Sequence, residues 1–405
     1  MAVSAKRWNG VVVAAVVAVG LSACARPLER MAVPEALAPS AVVPGMSHVR
    51  MWGDETPTDM AAFQRHYLPN IGRLAATTLK ADGKHHVDYL LLSGGAGDGA
   101  FGAGVLGGWS RRGTRPNFAV VTGVSAGALI APFAFLGPSY DKQLKEIWTQ
   151  HETKDLVISH VITGLLTGEA LADTTPLENL MAKYVTRAML DKVAAEYRKG
   201  RMLLIGTTNL DAQRQVIWNM GEIAVQRTPH ALELFRQVLL ASASVPGAFP
   251  PVRINVEAKG KEHDEYHVDG GVTRQVFLSP GQVSLKAFDR FYGSTPVRRI
   301  FVIKNGKLVP EYEVVKASTV SISARALFTT TKSQSIGDLL RIKDKASDAG
   351  ASFHLLSIPA TFTMPYKEAF DKAYMQELFK TGAAAGFSGT GWVGAVPEAR
   401  MARVR

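Results

Sequence analysis

Gly123-Val124-Ser125-Ala126-Gly127 is a Gly-x-Ser-x-Gly pattern that follows the apolar run Phe118–Thr122 and opens a second apolar run. Such a pattern holds a serine on a tight turn from strand to helix, with its hydroxyl lifted into the open. Glycines at 123 and 127 leave out the two Cβ atoms that would keep strand and helix apart. The same five residues also describe an ordinary glycine turn, so the elbow reading rests on the strand before and the helix after. A serine hydroxyl is a poor nucleophile at neutral pH and needs a base. Asp269, in Val268-Asp269-Gly270-Gly271, is a carboxylate at a strand end with two glycines after it and little steric cover; taken alone, Asp-Gly is also a common turn. A third piece is the glycine-rich turn from Ser93 to Gly102. Its Gly94, Gly95, Ala96 and Gly97 would present backbone N–H groups near a helix N-terminus, as a nest for an oxyanion or a phosphate.

Other chemistries compete for these residues. Gly97-Asp-Gly99-Ala-Phe-Gly102 fits the Gly-x-Gly-x-x-Gly spacing of a dinucleotide loop. No Lys-Ser or Lys-Thr follows the glycines, which argues against a P-loop, and a serine elbow one strand-helix unit later favours acyl transfer. His354 is the only histidine after Asp269 and would be the base of a Ser-His-Asp triad in which histidine comes last. His267 stands two residues before Asp269 and on a strand would share its face. His85-His86 has the look of a metal pair but lacks spaced carboxylate or cysteine partners, and reads as the solvated start of a strand. No metal ligand set and no cofactor are assigned.

These residues need a scaffold. Val87–Leu92, 118–122, Arg201–Thr208, Tyr266–Asp269 and Arg299–Ile303 read as buried strands, with Val216–Trp218 as a hairpin partner. Helices are expected over 58–80, 100–112, 126–136, 230–242, 317–347 and 366–381. Residues 141–198 read as mostly helical, broken at Gly164, Gly168 and Pro176, and serve either as an acyl groove or lid or as plain core packing. Strands alternating with helices predict an α/β fold: a mainly parallel sheet covered by helices on both faces.

The single cysteine, Cys24, follows a positive Lys6-Arg7, an apolar run from Val11 to Gly20, and Leu21-Ser22-Ala23. That is the layout of a secretory signal, and the apolar run is short for a membrane span. A cysteine directly after Leu-Ser-Ala resembles the lipobox of bacterial lipoproteins. The resemblance implies cleavage before Cys24, fatty acylation (palmitate among the chains) at that residue and, with Ala25 rather than aspartate next, the outer membrane. The mature chain would then have no thiol chemistry. Residues 25 to about 45, with Pro27, Pro34, Pro39 and Pro44, read as a tether. The formal net charge is +11, or +9 once Lys6 and Arg7 are removed with the leader. The basic residues are scattered without interleaved aromatics, which sets nucleic-acid binding aside. A mild positive surface suits solubility or an anionic lipid headgroup.

Taken in order, the glycine turn, Ser125 and Asp269 resemble the motifs of the patatin-like phospholipase family. Asp173-Thr-Thr-Pro-Leu177 and Ala241–Val252 are similar to further stretches of it. The resemblance covers about residues 87–280. It implies the three-layer patatin-like fold and a Ser125–Asp269 dyad that hydrolyses acyl esters of phospholipids or related lipids without histidine. It also implies an oxyanion loop at Gly94–Gly97. The chain departs from the family pattern at Ala96, in a glycine-rich position, and at Asp98, where a basic residue is common; Asp98 is expected to point away from the oxyanion. The organisation that follows is a signal peptide over 1–23, anchor and tether over 24–57, and a helical lead-in over 58–86. A catalytic core over 87–280 and a C-terminal extension over 281–405 packed on the same domain complete it. An acyltransferase, a Ser-His-Asp esterase and a non-catalytic lipid-binding envelope lipoprotein are the alternatives.

Overall fold

The computed structural model describes residues 30–56, 60–156, 158–159, 172–281 and 283–397. Cys24 with its leader, and the breaks expected at Gly164 and Gly168, lie outside these residues.

The strands are β1 (Arg50–Trp52), β2 (His86–Leu92), β3 (Val120–Val124), the small pair β4 (Ile158–Ser159) and β5 (Ala172–Asp173), β6 (Met202–Asn209), β7 (Arg214–Asn219), β8 (Val252–Ala258), β9 (Lys261–Asp269), β10 (Val297–Lys304) and β11 (Ser352–Ser357). Nine of them form one sheet in the order β1-β7-β6-β3-β2-β10-β11, with β9 also paired to β6 and β8 to β9. The run β11-β10-β2-β3-β6 is parallel throughout. β3 is buried along its whole length, and β2 from Val87 onward, as expected of parallel strands covered on both faces.

The covering helices are α1 (Met60–Thr78), α2 (Gly99–Arg112), α3 (Ala126–Leu136), α4 (Asp141–Gln150), α5 (Thr175–Tyr184), α6 (Arg187–Arg198), α7 (Pro229–Ala243), α8 (Thr319–Asp348) and α9 (Lys372–Ser388). Side chains alternate across the sheet with period two and fill two cores. Leu90, Leu92, Val121, Phe301 and Ile303 pack with α2, α3, α7 and α9 on one face. Leu91, Ile300 and Val302 pack with Leu74 of α1 and with Leu339, Ile342 and Ala346 of α8 on the other. In α4 and α5, Leu144, Trp148, Leu177 and Met181 belong to the first core, so these described parts of 141–198 serve as packing. α2 and α9 approach backbone to backbone: a Cβ on Gly104 or Gly108 would strike the Phe379 or Ala383 carbonyl, and one on Gly382 that of Phe101.

Two expectations change. The last helix begins at Lys372 rather than 366, because the Asp371 side chain caps it by accepting from Tyr374 N–H at 3.1 Å. The Pro-rich stretch is not a free tether over its described part. Val42 and Glu257 exchange both backbone hydrogen bonds, at 3.0 and 2.7 Å, and Val43 and Val49 are buried in the first core. Arg50 is paired with Glu265. Pro39 lies inside a 3-10 helix, Glu35–Ser40, and it is the apolar Ala41-Val42-Val43 after it that meets the open edge of β8.

Candidate active site

β6 brings the candidate nucleophile and base together. Its one edge pairs with β3 from Met202 to Gly206, ending with Val124 opposite Gly206. The same edge then pairs with β9, with Asp269 opposite Thr207. The chain end carrying Ser125 and the chain end carrying Asp269 therefore meet at consecutive residues of one strand. Close packing at this junction demands glycine. A Cβ on Gly270 would strike the Gly206 carbonyl, and one on Gly127 the Leu92 carbonyl.

Ser125 sits at φ 55°, ψ −125° as the cap residue before α3, a conformation that L-residues rarely adopt and that is retained where neighbours enforce it. The neighbours here include Ser242, at the end of α7. Its hydroxyl accepts from Ser125 N–H at 3.0 Å and donates to the Gly206 carbonyl at 2.7 Å. Two residues on, the Ser244 carbonyl accepts from Asp269 N–H at 2.9 Å. The end of α7 thus holds both partners by their backbones. Ser125 and Asp269 are both buried. Asp269 Oδ1 accepts from Gly271 N–H at 2.7 Å, while Oδ2 has no partner in bonding geometry. Burial pushes the Asp269 carboxyl up to about 6, against the opposing pull of the nearby Ser125 hydroxyl and Gly271 N–H. A buried carboxylate with one free oxygen beside a serine can take that serine's proton.

The glycine turn lies against the serine: a Cβ on Gly94 would be 3.1 Å from Ser125 Cβ. Gly94 N–H itself is engaged by the Gln275 carbonyl at 3.2 Å, so the expected oxyanion donor at Gly94 is already committed. Gly95, Ala96 and Gly97 have no such bond among the described residues. Ala96 is exposed and at φ 47°, Gly95 is half-buried and Gly97 is buried. Asn305, after β10, clamps the turn's base. Its Nδ2 donates to the Ser93 carbonyl at 2.8 Å, its N–H to Ser93 Oγ at 2.9 Å, and its Oδ1 accepts from Gly102 N–H at 3.1 Å. Gly102 and Gly99 thereby serve helix packing, the latter against the Trp148 ring, rather than a dinucleotide. Asp98 turns to Tyr374, accepting from its hydroxyl at 2.6 Å. Burial raises the Asp98 carboxyl to about 6. No motif marks Gln275 or Asn305 in the sequence, whereas Ser242 and Ser244 lie in the Ala241–Val252 stretch.

The histidine alternative fails on register. His354 lies opposite Phe301, which lies opposite Leu90, which lies opposite Val121. That is three strands from β3, roughly 14 Å, and level with a residue before the elbow. Its Nε2 pairs with Ser352 Oγ at 3.0 Å and its ring stacks on Phe301. His267 uses both ring nitrogens, with Thr207 Oγ1 and Glu265 Oε2, each at 3.0 Å. His85 bonds Thr78 and His86 bonds Asp82, so they do not face a common ion. A concavity lined by Thr77, Asn117, Glu196 and Arg201 lies at the start of β3 and β6, the far end from Ser125.

Residues 90–280 match the family model described as Patatin-like phospholipase, which supports a lipid acyl hydrolase in general terms. Among solved structures, VipD from Legionella pneumophila is 14% identical, with 76% of this chain and 69% of that chain covered at a TM-score of 0.36. Human GIVD cytosolic phospholipase A2 is 11% identical, with 70% and 54% covered at a TM-score of 0.29. Likenesses this distant carry none of the argument. No curated protein matches the chain.

Proposed function

We propose that this chain, which carries a patatin-like phospholipase domain over residues 90–280, hydrolyses acyl esters of phospholipids or related lipids through Ser125 and Asp269. The observation that carries the reading is the junction on β6. It sets a strained serine beside a buried carboxylate whose Oδ2 has no bonding partner. Asp269 takes the hydroxyl proton as Ser125 Oγ bonds to the ester carbonyl carbon. The oxygen of the tetrahedral intermediate accepts from the N–H groups of Gly95, Ala96 and Gly97. One such donor is worth about 3 kcal/mol in comparable sites. The N-terminus of α3, at Ser125, adds a positive dipole end. Collapse expels the alcohol, which leaves with the proton held by Asp269. Water then gives a proton to Asp269 while its oxygen attacks the acyl-serine, and collapse breaks the bond to Ser125 Oγ, which takes that proton back from Asp269 as the fatty acid leaves.

A fluorophosphonate probe and defined phospholipids test this directly. The purified chain should be labelled at Ser125 and release free fatty acid, and Ser125→Ala should lose both. Hydrolysis retained by Ser125→Ala would sink the assignment. Lipid anchoring at Cys24, in the outer membrane, belongs to the same proposal and rests on the sequence pattern alone. Incorporation of labelled palmitate that persists in Cys24→Ser would refute the anchor.

A further inference from the structure

α8 ends at Asp348 and β11 begins at Ser352, so the helix runs antiparallel to the parallel strands. Its N-terminal half stands at the strand ends that carry Ser125 and Asn305. Ser335, Asp338, Leu339, Ile342 and Ala346 form its buried stripe. Among the described side chains from Thr319 to Gln334, none is buried. That is about 24 Å of helix beyond the sheet, and an isolated helix of this length is marginal in water. The stripe nevertheless continues at helical spacing through Thr331, Phe328, Leu327 and Ala324, with Phe328 65% and Leu327 45% exposed. The loop before the helix adds Tyr312 and Val314, 87% and 77% exposed. It is tied to α8 by Glu313–Arg325 at 3.0 Å and Glu311–Lys332 at 3.1 Å.

Charge says what kind of surface would cover this face. From Thr319 to Gly337 the helix has Arg325 and Lys332 and no acidic residue. The two glutamates of the loop are neutralised by these cations and by Lys307. Lys316 is exposed beside them. An apolar patch with a cationic excess fits an anionic bilayer interface. The patch is also near the glycine turn, because Glu311 is among the charges acting on both Asp98 and Tyr374.

We infer that the overhanging half of α8, with the 312–315 loop, is the surface by which the catalytic end docks on an anionic lipid bilayer, seating the ester linkage over Ser125. The inference rests on the lipid-hydrolase reading and deepens it. For the test, the full chain carries Cys24→Ser, so that an introduced cysteine is its only thiol, and Ser125→Ala, so that vesicles stay intact. An environment-sensitive dye is placed on Phe328→Cys or, at the opposite end of the strands just before β2, on Lys84→Cys. With vesicles of phosphatidylglycerol and phosphatidylethanolamine, the dye at 328 should shift to the blue and the dye at 84 should not. In the chain with Ser125 intact, Leu327→Gln with Phe328→Gln should cut vesicle hydrolysis about tenfold and leave a soluble short-chain ester unaffected. An unshifted dye at 328, or equal shifts at both positions, overturns the docking surface. So does a shift at 328 that needs no vesicles and grows with protein concentration, which would mean a second copy covers the face. Failure of the hydrolase reading is distinguishable, because it would leave the soluble ester uncleaved by the Ser125 enzyme whatever the dye reports.

Discussion

Replacing Asp269 by asparagine separates what the carboxylate does for chemistry from what it does to stability. Burial raises its pKa from 3.8 to about 6, so the folded state favours the protonated acid. Below both values the group is neutral in both states and the fold bears no penalty. As pH rises through 3.8 the unfolded chain ionises first, and stability falls until the folded group ionises at about 6. Two and a fraction pKa units correspond to a total of about 3 kcal/mol, of which about 2.5 kcal/mol appears between pH 4 and pH 7.5. Asparagine does not ionise and keeps an oxygen for Gly271 N–H. Its own fit adds a pH-independent offset, so the change of the difference with pH is the readout. In urea unfolding the variant should therefore gain about 2.5 kcal/mol on wild type from pH 4 to pH 7.5. Its ester hydrolysis should fall by a factor of about 100 to 10,000 with loss of the base. A stability difference that moves by less than about 0.5 kcal/mol over this range would refute the buried, ionising base. A variant with near-wild-type turnover would refute its catalytic role.

The same titration predicts that kcat/KM on a soluble ester rises with pH through about 6, as Asp269 loses its proton; a flat profile from pH 5 to 7.5 would contradict it. His354→Ala should leave hydrolysis within about twofold of wild type, since its strand lies roughly 14 Å from β3, and a hundredfold loss would restore the triad. Ser242→Ala removes the acceptor for Ser125 N–H and the donor to Gly206. It should lower stability by about 1–3 kcal/mol with a drop in kcat, and unchanged thermal unfolding would count against the strut. Gly127→Val drives a branched side chain into the Leu92 carbonyl and should yield no folded protein; a wild-type Tm would show that the close approach is relaxed.

Much of this was open to reading in the chain. Buried parallel strands leave continuous apolar runs, so β2, β3, β6 and β10 stood out, and the glycine motifs after β2 and β3 marked strand-to-helix turns. The sequence by itself therefore determined the α/β class, the elbow at Ser125, the glycine turn and the candidacy of Asp269, because local sterics and periodicity are written in adjacent residues. β8 was harder to see. Its alternation of Val252, Ile254, Val256 and Ala258 is that of a half-buried edge strand, directly after Pro250-Pro251. The docking of 30–56, with Val42 on β8, Ala32 on β9 and β1 on β7, was invisible, since such pairing shows only once the partner strands are present. What only the tertiary structure decided is which distant groups meet. β3 and β9 end at neighbouring residues of β6, Gln275 consumes the Gly94 donor, Asn305 clamps the turn, and His354 falls on a remote strand. These depend on strand order and register, and a one-residue slip in register would turn the same side chains to the opposite face.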